Sequence, residues 1–155
     1  RGNGALPRLA EEINRENGSP RASIPPRLKL PRHAQMVLIS DFLEPPDDLQ
    51  NIIKWFAGQG LTGHLAQVLD PAEETLPFTG RTRFTGLEGE GEAVIGRVEA
   101  VRADYSKNLS LHRANLAAIA RQTGWSFVAH RTDRPPEMAL LSLYLTLSGS
   151  LGRLF

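Results

Sequence analysis

The chain has no cysteine, which removes disulfides, thiolate nucleophiles and cysteine-based zinc sites from its chemistry. That agrees with a reducing, cytoplasmic location, which is the expectation here. No apolar run approaches the roughly 18 residues that a membrane-spanning helix requires. The nearest, Met138 to Leu151, is interrupted by Ser142, Tyr144, Thr146, Ser148 and Gly149 and reads as a buried helix; no secretory leader is legible at the start. Charge of one sign is also missing. With 18 basic against 17 acidic residues and a net charge of +1, bulk electrostatics give no reason to expect a nucleic-acid partner.

The common catalytic signatures are absent as well. There is no G-x-S-x-G elbow, no P-loop and no G-x-G-x-x-G. Gly86 to Gly91 reads Gly-Leu-Glu-Gly-Glu-Gly, but its glutamates would repel phosphate. The four histidines, His33, His64, His112 and His130, never fall at a spacing that pairs two on one helix face. Spacing alone assembles no nucleophile, base and oxyanion donor, so the chain is expected not to be an enzyme.

What is present is an α/β pattern. Val37-Leu38-Ile39-Ser40-Asp41-Phe42 is an unbroken apolar run stopped by Ser-Asp, and Pro46-Asp47-Asp48 then opens a helix. This predicts a buried strand over Met36 to Ser40, a turn at its carboxyl end and a crossover helix striped by Leu49, Ile52, Ile53 and Phe56. A second strand is predicted over Gly63 to Leu69 and a third over Trp125 to His130. A short β excursion with a turn is expected over Phe78 to Phe84, and a turn over Gly86 to Glu92. Helices are predicted over Ala5 to Asn17 and Arg97 to Thr123, and from Pro135 to about Ser148, the last capped by Thr132 or Asp133. Residues 18–35, with four prolines, read as a loop. The chain therefore reads as one domain over 1–155, with strands separated by helices and hence paired in parallel.

In such a sheet the strand carboxyl ends form the rim at which ligands bind. Asp41, Asp70 and Asp133 each follow a predicted strand, so all three belong to that rim. Oxygen donors of this kind suit hard divalent cations, and Ser40 beside Asp41 adds a hydroxyl. The same residue types are also ordinary turn and cap formers. Glu73 and His130 complete the rim as candidate contact residues.

Several of these stretches together resemble the carboxyl-terminal part of the bacterial domain-of-unknown-function-58 family. They are Leu38-Ile39-Ser40-Asp41-Phe42-Leu43, Leu69-Asp70-Pro71-Ala72-Glu73 with Leu76-Pro77, Phe84 and Glu88 about the glycine turn, Tyr105, and His130-Arg131-Thr132-Asp133. The resemblance implies a von Willebrand factor A-like, doubly wound parallel sheet with helices on both faces, here without its amino-terminal half. It implies Mg²⁺ at the rim of the full-length parent, with Asp41 similar to the last aspartate of that metal site. The early Asp-x-Ser-x-Ser of such a site is not in this chain, and the threonine region is similar to Gly2-Asn3-Gly4, so the set is incomplete here. It further implies a protein-binding adaptor or assembly factor that works with a MoxR-type AAA+ ATPase. The alternative reading of the acidic rim is a metal-dependent hydrolase. A sheet lacking its first half also exposes the edge of its first strand, so self-association as a dimer over that edge is expected.

Overall fold

The computed structural model describes residues 24–85 and 91–151, with the backbone alone at 150 and 151. The elements are β1 (Gln35–Ser40), α1 (Pro46–Gly58), β2 (Thr62–Leu69), α2 (Pro71–Thr75), β3 (Thr82–Thr85), β4 (Glu92–Ile95), α3 (Val98–Thr123), β5 (Ser126–Arg131) and α4 (Glu137–Leu151). Residues 24–34 contain neither helix nor strand. The helix expected over Ala5 to Asn17 lies outside the described residues, as do Gly2-Asn3-Gly4 and Glu88.

β1, β2 and β5 form a parallel sheet in that order, with β2 in the centre. The register places Leu38, Leu65 and Phe127 in one row across it. Strand alternation then turns Met36, Leu38, Leu65 and Phe127 toward α1 and α3, which supply Leu49, Ile52, Ile53, Phe56, Leu116, Ile119 and Ala120 to one core. Each large apolar side chain so buried contributes about 1.5–3 kcal/mol. α1 forms because its apolar residues recur at i, i+3, i+4 and i+7, with Pro46 in the first turn and Asp47 and Asp48 at the positive end of the helix dipole. α3 ends at Gly124, whose φ of 71° lets the main chain reverse; Trp125 N then donates to Ala120 O at 2.8 Å.

Three local features depart from the sequence expectation. The β excursion is β3 paired antiparallel with β4, Thr82 with Ile95 and Thr85 with Glu92, so the chain does not reverse at Gly80; the turn expected over Gly86 to Glu92 falls mostly outside the described residues. β4 is only four residues, too short for its alternation to stand out from the turn before it. Leu69 is followed by a short helix, α2, that the sequence reading does not include. Its Asp70 cap and Glu73 form a reciprocal capping box, with Asp70 Oδ1 accepting from Ala72 N at 2.8 Å and Glu73 Oε2 from Asp70 N at 2.9 Å. Finally, α4 starts at Glu137. Neither Thr132 nor Asp133 stands next to it, and both side chains are engaged elsewhere on the rim.

α4 lies on the opposite face of the sheet, against β5. It crosses toward the start of β1, where Gln35 Nε2 donates to Leu147 O at 3.4 Å. The carboxyl half of β1 is left uncovered there, and Ile39 is 66% exposed. Among the described residues the outer edge of β1 has no partner strand. No helix among them is long and apolar enough to cross a membrane.

Candidate functional site at the carboxyl rim of the sheet

Because the three strands are parallel, Asp41, Asp70 and Asp133 emerge at the same edge of the sheet. The turn after β1 is the most constrained of the three. Ser40 Oγ donates to Asp41 Oδ1 at 3.2 Å and accepts from Phe42 N at 3.2 Å, while Leu43 N donates to Asp41 Oδ1 at 3.3 Å. Phe42 adopts a left-handed backbone, φ 53°, which costs a non-glycine residue about 1–2 kcal/mol. Burial of its ring, 3% exposed, offsets that cost.

Two further bonds hold the turn from below. His112 Nε2 donates to Phe42 O at 2.5 Å, and Gln67 Nε2 donates to Asp41 O at 2.8 Å. Gln67 is fully buried, and its Oε1 accepts from Arg113 Nε at 3.0 Å. The Arg113 guanidinium pairs with Glu74, and Arg131 Nε stands 3.5 Å from the same carboxylate. Arg131 also grips Asp133 with two bonds, at 3.0 and 2.5 Å. That hydrogen bonding to Arg131 holds the Asp133 carboxyl below its usual range. Thr132 Oγ1 donates to Asp70 Oδ2 at 3.0 Å. Beside this group, the Tyr105 hydroxyl is pushed up, first by burial and then by the Glu73 carboxylate.

The rim residues named from sequence thus divide. Ser40 and Asp41 shape one turn; Asp70, Glu73 and Asp133 are held in caps and an ion pair. His130 does not join them. It pairs in register with Val68, on the α4 side of the sheet, while Arg131 turns to the other side to meet Glu74. Sequence reasoning missed Gln67, His112 and Arg113. A usable signal was present, since Gln67 interrupts the apolar strand Leu65 to Leu69 and a polar residue there needs a buried partner.

The described residues alone do not make up a magnesium centre at the rim. Asp41 is one carboxylate, exposed, with Oδ2 reached by no donor among the described residues, and the Ser40 hydroxyl is already engaged on both sides. Among the described residues no group of three or more His, Asp or Glu is arranged to hold a metal ion.

The amino ends of the strands differ in character. A cavity of about 470 Å³ opens there between the sheet and the end of α4, lined by Gln35, Thr62, His64, Trp125, Ser126 and Leu145 among others, with no Lys, Arg, Asp or Glu. His64 is 4% exposed. Its Nδ1 lies 2.7 Å from Ser126 Oγ, and Nε2 has no partner among the described residues. Burial holds the imidazole below its ordinary pKa, so folding favours the neutral ring. The unfolded chain titrates near the usual value of about 6.5. Stability from this group is therefore complete above about pH 7 and falls as the pH drops through 6.5 toward the lower folded value. Thermal unfolding from pH 8 to 5 should show wild type losing more stability than His64→Gln; parallel curves would rule His64 out as the cause.

A comparison with protein-family models matches residues 26–115, more than half of the chain, to "Protein of unknown function DUF58". No curated protein matches the sequence. Among solved structures there is a likeness to an uncharacterized membrane spanning protein from Vibrio fischeri. It is 12% identical with a TM-score of 0.30, over 96% of this chain and 55% of that one, so the chain spans about half of that protein's length. A likeness at that level carries nothing about mechanism or location. The family match covers β1, its Asp41 turn, β2 and the α2 capping box and ends before His130-Arg131-Thr132-Asp133, and by it the chain belongs to the DUF58 family, whose function is unknown.

Proposed function

We propose that this chain is a non-catalytic protein-interaction module of von Willebrand factor A-like type, presenting the carboxyl rim of its sheet to a partner. The observation that carries the reading is the Asp41 turn. Its main chain is fixed by Gln67, His112 and the buried Phe42 ring, yet it holds Asp41 and the half-exposed Leu43 outward. A rigid turn with an acidic and an apolar group is suited to binding, because little side-chain or loop entropy is lost on docking. The neighbouring acids are neutralised by arginines or used as caps, an arrangement that favours binding over hydrolysis, which needs an available base. The partner is proposed to be a MoxR-type AAA+ ATPase, on the family resemblance of the Asp41 and Asp70 motifs.

The test is co-purification of the full-length parent with that ATPase, wild type against Asp41→Ala, each with Mg²⁺ and with chelator. Recovery is expected to fall at least about tenfold in the variant, as for a residue central to an interface. Equal recovery from both proteins would remove the rim from the interface. Loss on chelation alone would mean that the partner completes a metal site around Asp41. Hydrolysis of a phosphoester by wild type and not by Asp41→Ala would replace this reading with the hydrolase.

A further inference from the structure

α4 is lightly seated on the sheet. None of its described side chains is buried, and Ala139, Leu143, Thr146, Leu147 and Ser148 are half-buried. Gln35 Nε2 reaches Leu147 O from β1 across a long 3.4 Å. An element with few buried groups opens locally at a lower free energy than the core does. Beneath the end of this helix lies the His64 ring, which the fold shields from water without supplying a charge partner. Its Nδ1 pairs with Ser126 Oγ, whereas Nε2 meets neither solvent nor a hydrogen-bond partner among the described residues. An imidazolium donates from both nitrogens, so charging the ring in place strands a buried N–H and a buried charge together.

We infer that His64 is an acid-sensitive latch, whose charging drives the end of α4 away from β2 and β5 and admits water to the cavity between them. Among the described residues the surrounding elements offer no other relief. β1 contributes Gln35, β2 Thr62, β5 Ser126 and α4 Leu145 to the lining, and none can carry a negative charge. His33, the other titratable group in the lining, is exposed and is itself a base. His130 lies on the same face but four residues along β5 from Ser126, about 13 Å away. On the described part of α4 no acid follows Glu137, which stands at the far end of the helix. β2 is hydrogen-bonded to a strand on each side and is held in place, so the movement falls to α4. A ring in water titrates near the usual value of about 6.5. The open form is therefore favoured about tenfold for each pH unit below that value, at most about thirtyfold between pH 8 and 5.

Amide hydrogen exchange of the full chain, corrected for the intrinsic effect of pH, reads the latch directly. At pH 8 the amides of residues 140–149 should be less protected than those of α1. At pH 5 their protection should fall at least about tenfold in wild type and hold in His64→Gln. A second variant leaves the ring in place. Thr62→Glu sets a carboxylate at an exposed position on the same face of β2, two residues before His64, where it can meet the imidazolium. Protection at pH 5 should then be kept. Equal protection of 140–149 at both pH values in wild type would overturn the inference, as would the same loss in wild type and Thr62→Glu. Protection identical to that of α1 at each pH would overturn it too, because the chain would then open only as a whole.

Discussion

Gly63→Ala is expected to destabilise the fold by about 3 kcal/mol or more, at the upper end for adding one carbon to a packed interior. A Cβ at residue 63 would lie 2.1 Å from Cε3 and 2.2 Å from Cδ2 of the Trp125 ring. Neither side can yield. Gly63 belongs to the central strand and pairs in register with Met36, so its backbone is fixed by the sheet. Trp125 is 5% exposed, donates from Nε1 to Leu61 O at 3.2 Å, and follows directly on the turn that closes α3. The ring is therefore seated flat on bare β2 backbone, and the missing side chain is what admits it. For a chain of this size the loss corresponds to a melting temperature lower by about 6–12 °C. Removing the ring should relieve the clash, so Gly63→Ala combined with Trp125→Leu should cost less than the two changes added separately. A variant that melts within a degree or two of wild type would show that the ring is not held there.

The strands and α1 were legible because their signals are long and consistent. Val37 to Ile39 is an apolar run and Leu65 to Leu69 is one broken only by Gln67, both followed by turn residues, and the stripe Leu49, Ile52, Ile53, Phe56 has the helix period with a proline and two aspartates at its start. The rim was legible as a place, since parallel strands must put Asp41, Asp70 and Asp133 on one edge. Its wiring was not. Glu74 reads in sequence as one acid in an acidic loop, but the fold sets it between Arg113 and Arg131, 39 and 57 residues further along the chain. Such pairs depend on the packing of α3 against α2, which local patterning does not encode. α4 was misjudged for a related reason. Its apolar sequence reads as a buried helix, whereas Met138, Leu140, Leu141, Tyr144 and Leu145 are exposed, because composition does not say which surface, if any, the fold lays against a helix.

The ladder from Asp41 to Asp133 leads to the second large effect. Arg113→Met keeps most of the aliphatic stem and removes the guanidinium. Gln67 Oε1, in a side chain with no exposure, then loses its donor, and Glu74 keeps only Arg131 at 3.5 Å. Stranding a buried acceptor costs about 1–3 kcal/mol. The Arg113–Glu74 pair adds less than a fully buried one would, because both side chains retain a fifth to a quarter of their exposure. The expected total is about 2–3 kcal/mol, read from urea unfolding. Glu74→Gln alone should cost less, and the double variant should fall short of the sum by about 1 kcal/mol, as residues in one network do. Strict additivity would mean that the guanidinium and the carboxylate do not act together. Gln67→Leu separates fold from function. It deletes the one side chain among the described residues that joins the ladder to Asp41 O, while His112 still holds Phe42 O. If the ladder positions the docking turn, partner recovery should drop in Gln67→Leu at temperatures where the protein remains fully folded. If recovery persists there while the melting temperature falls, the ladder supports the sheet and the turn is held by His112 and Phe42 alone.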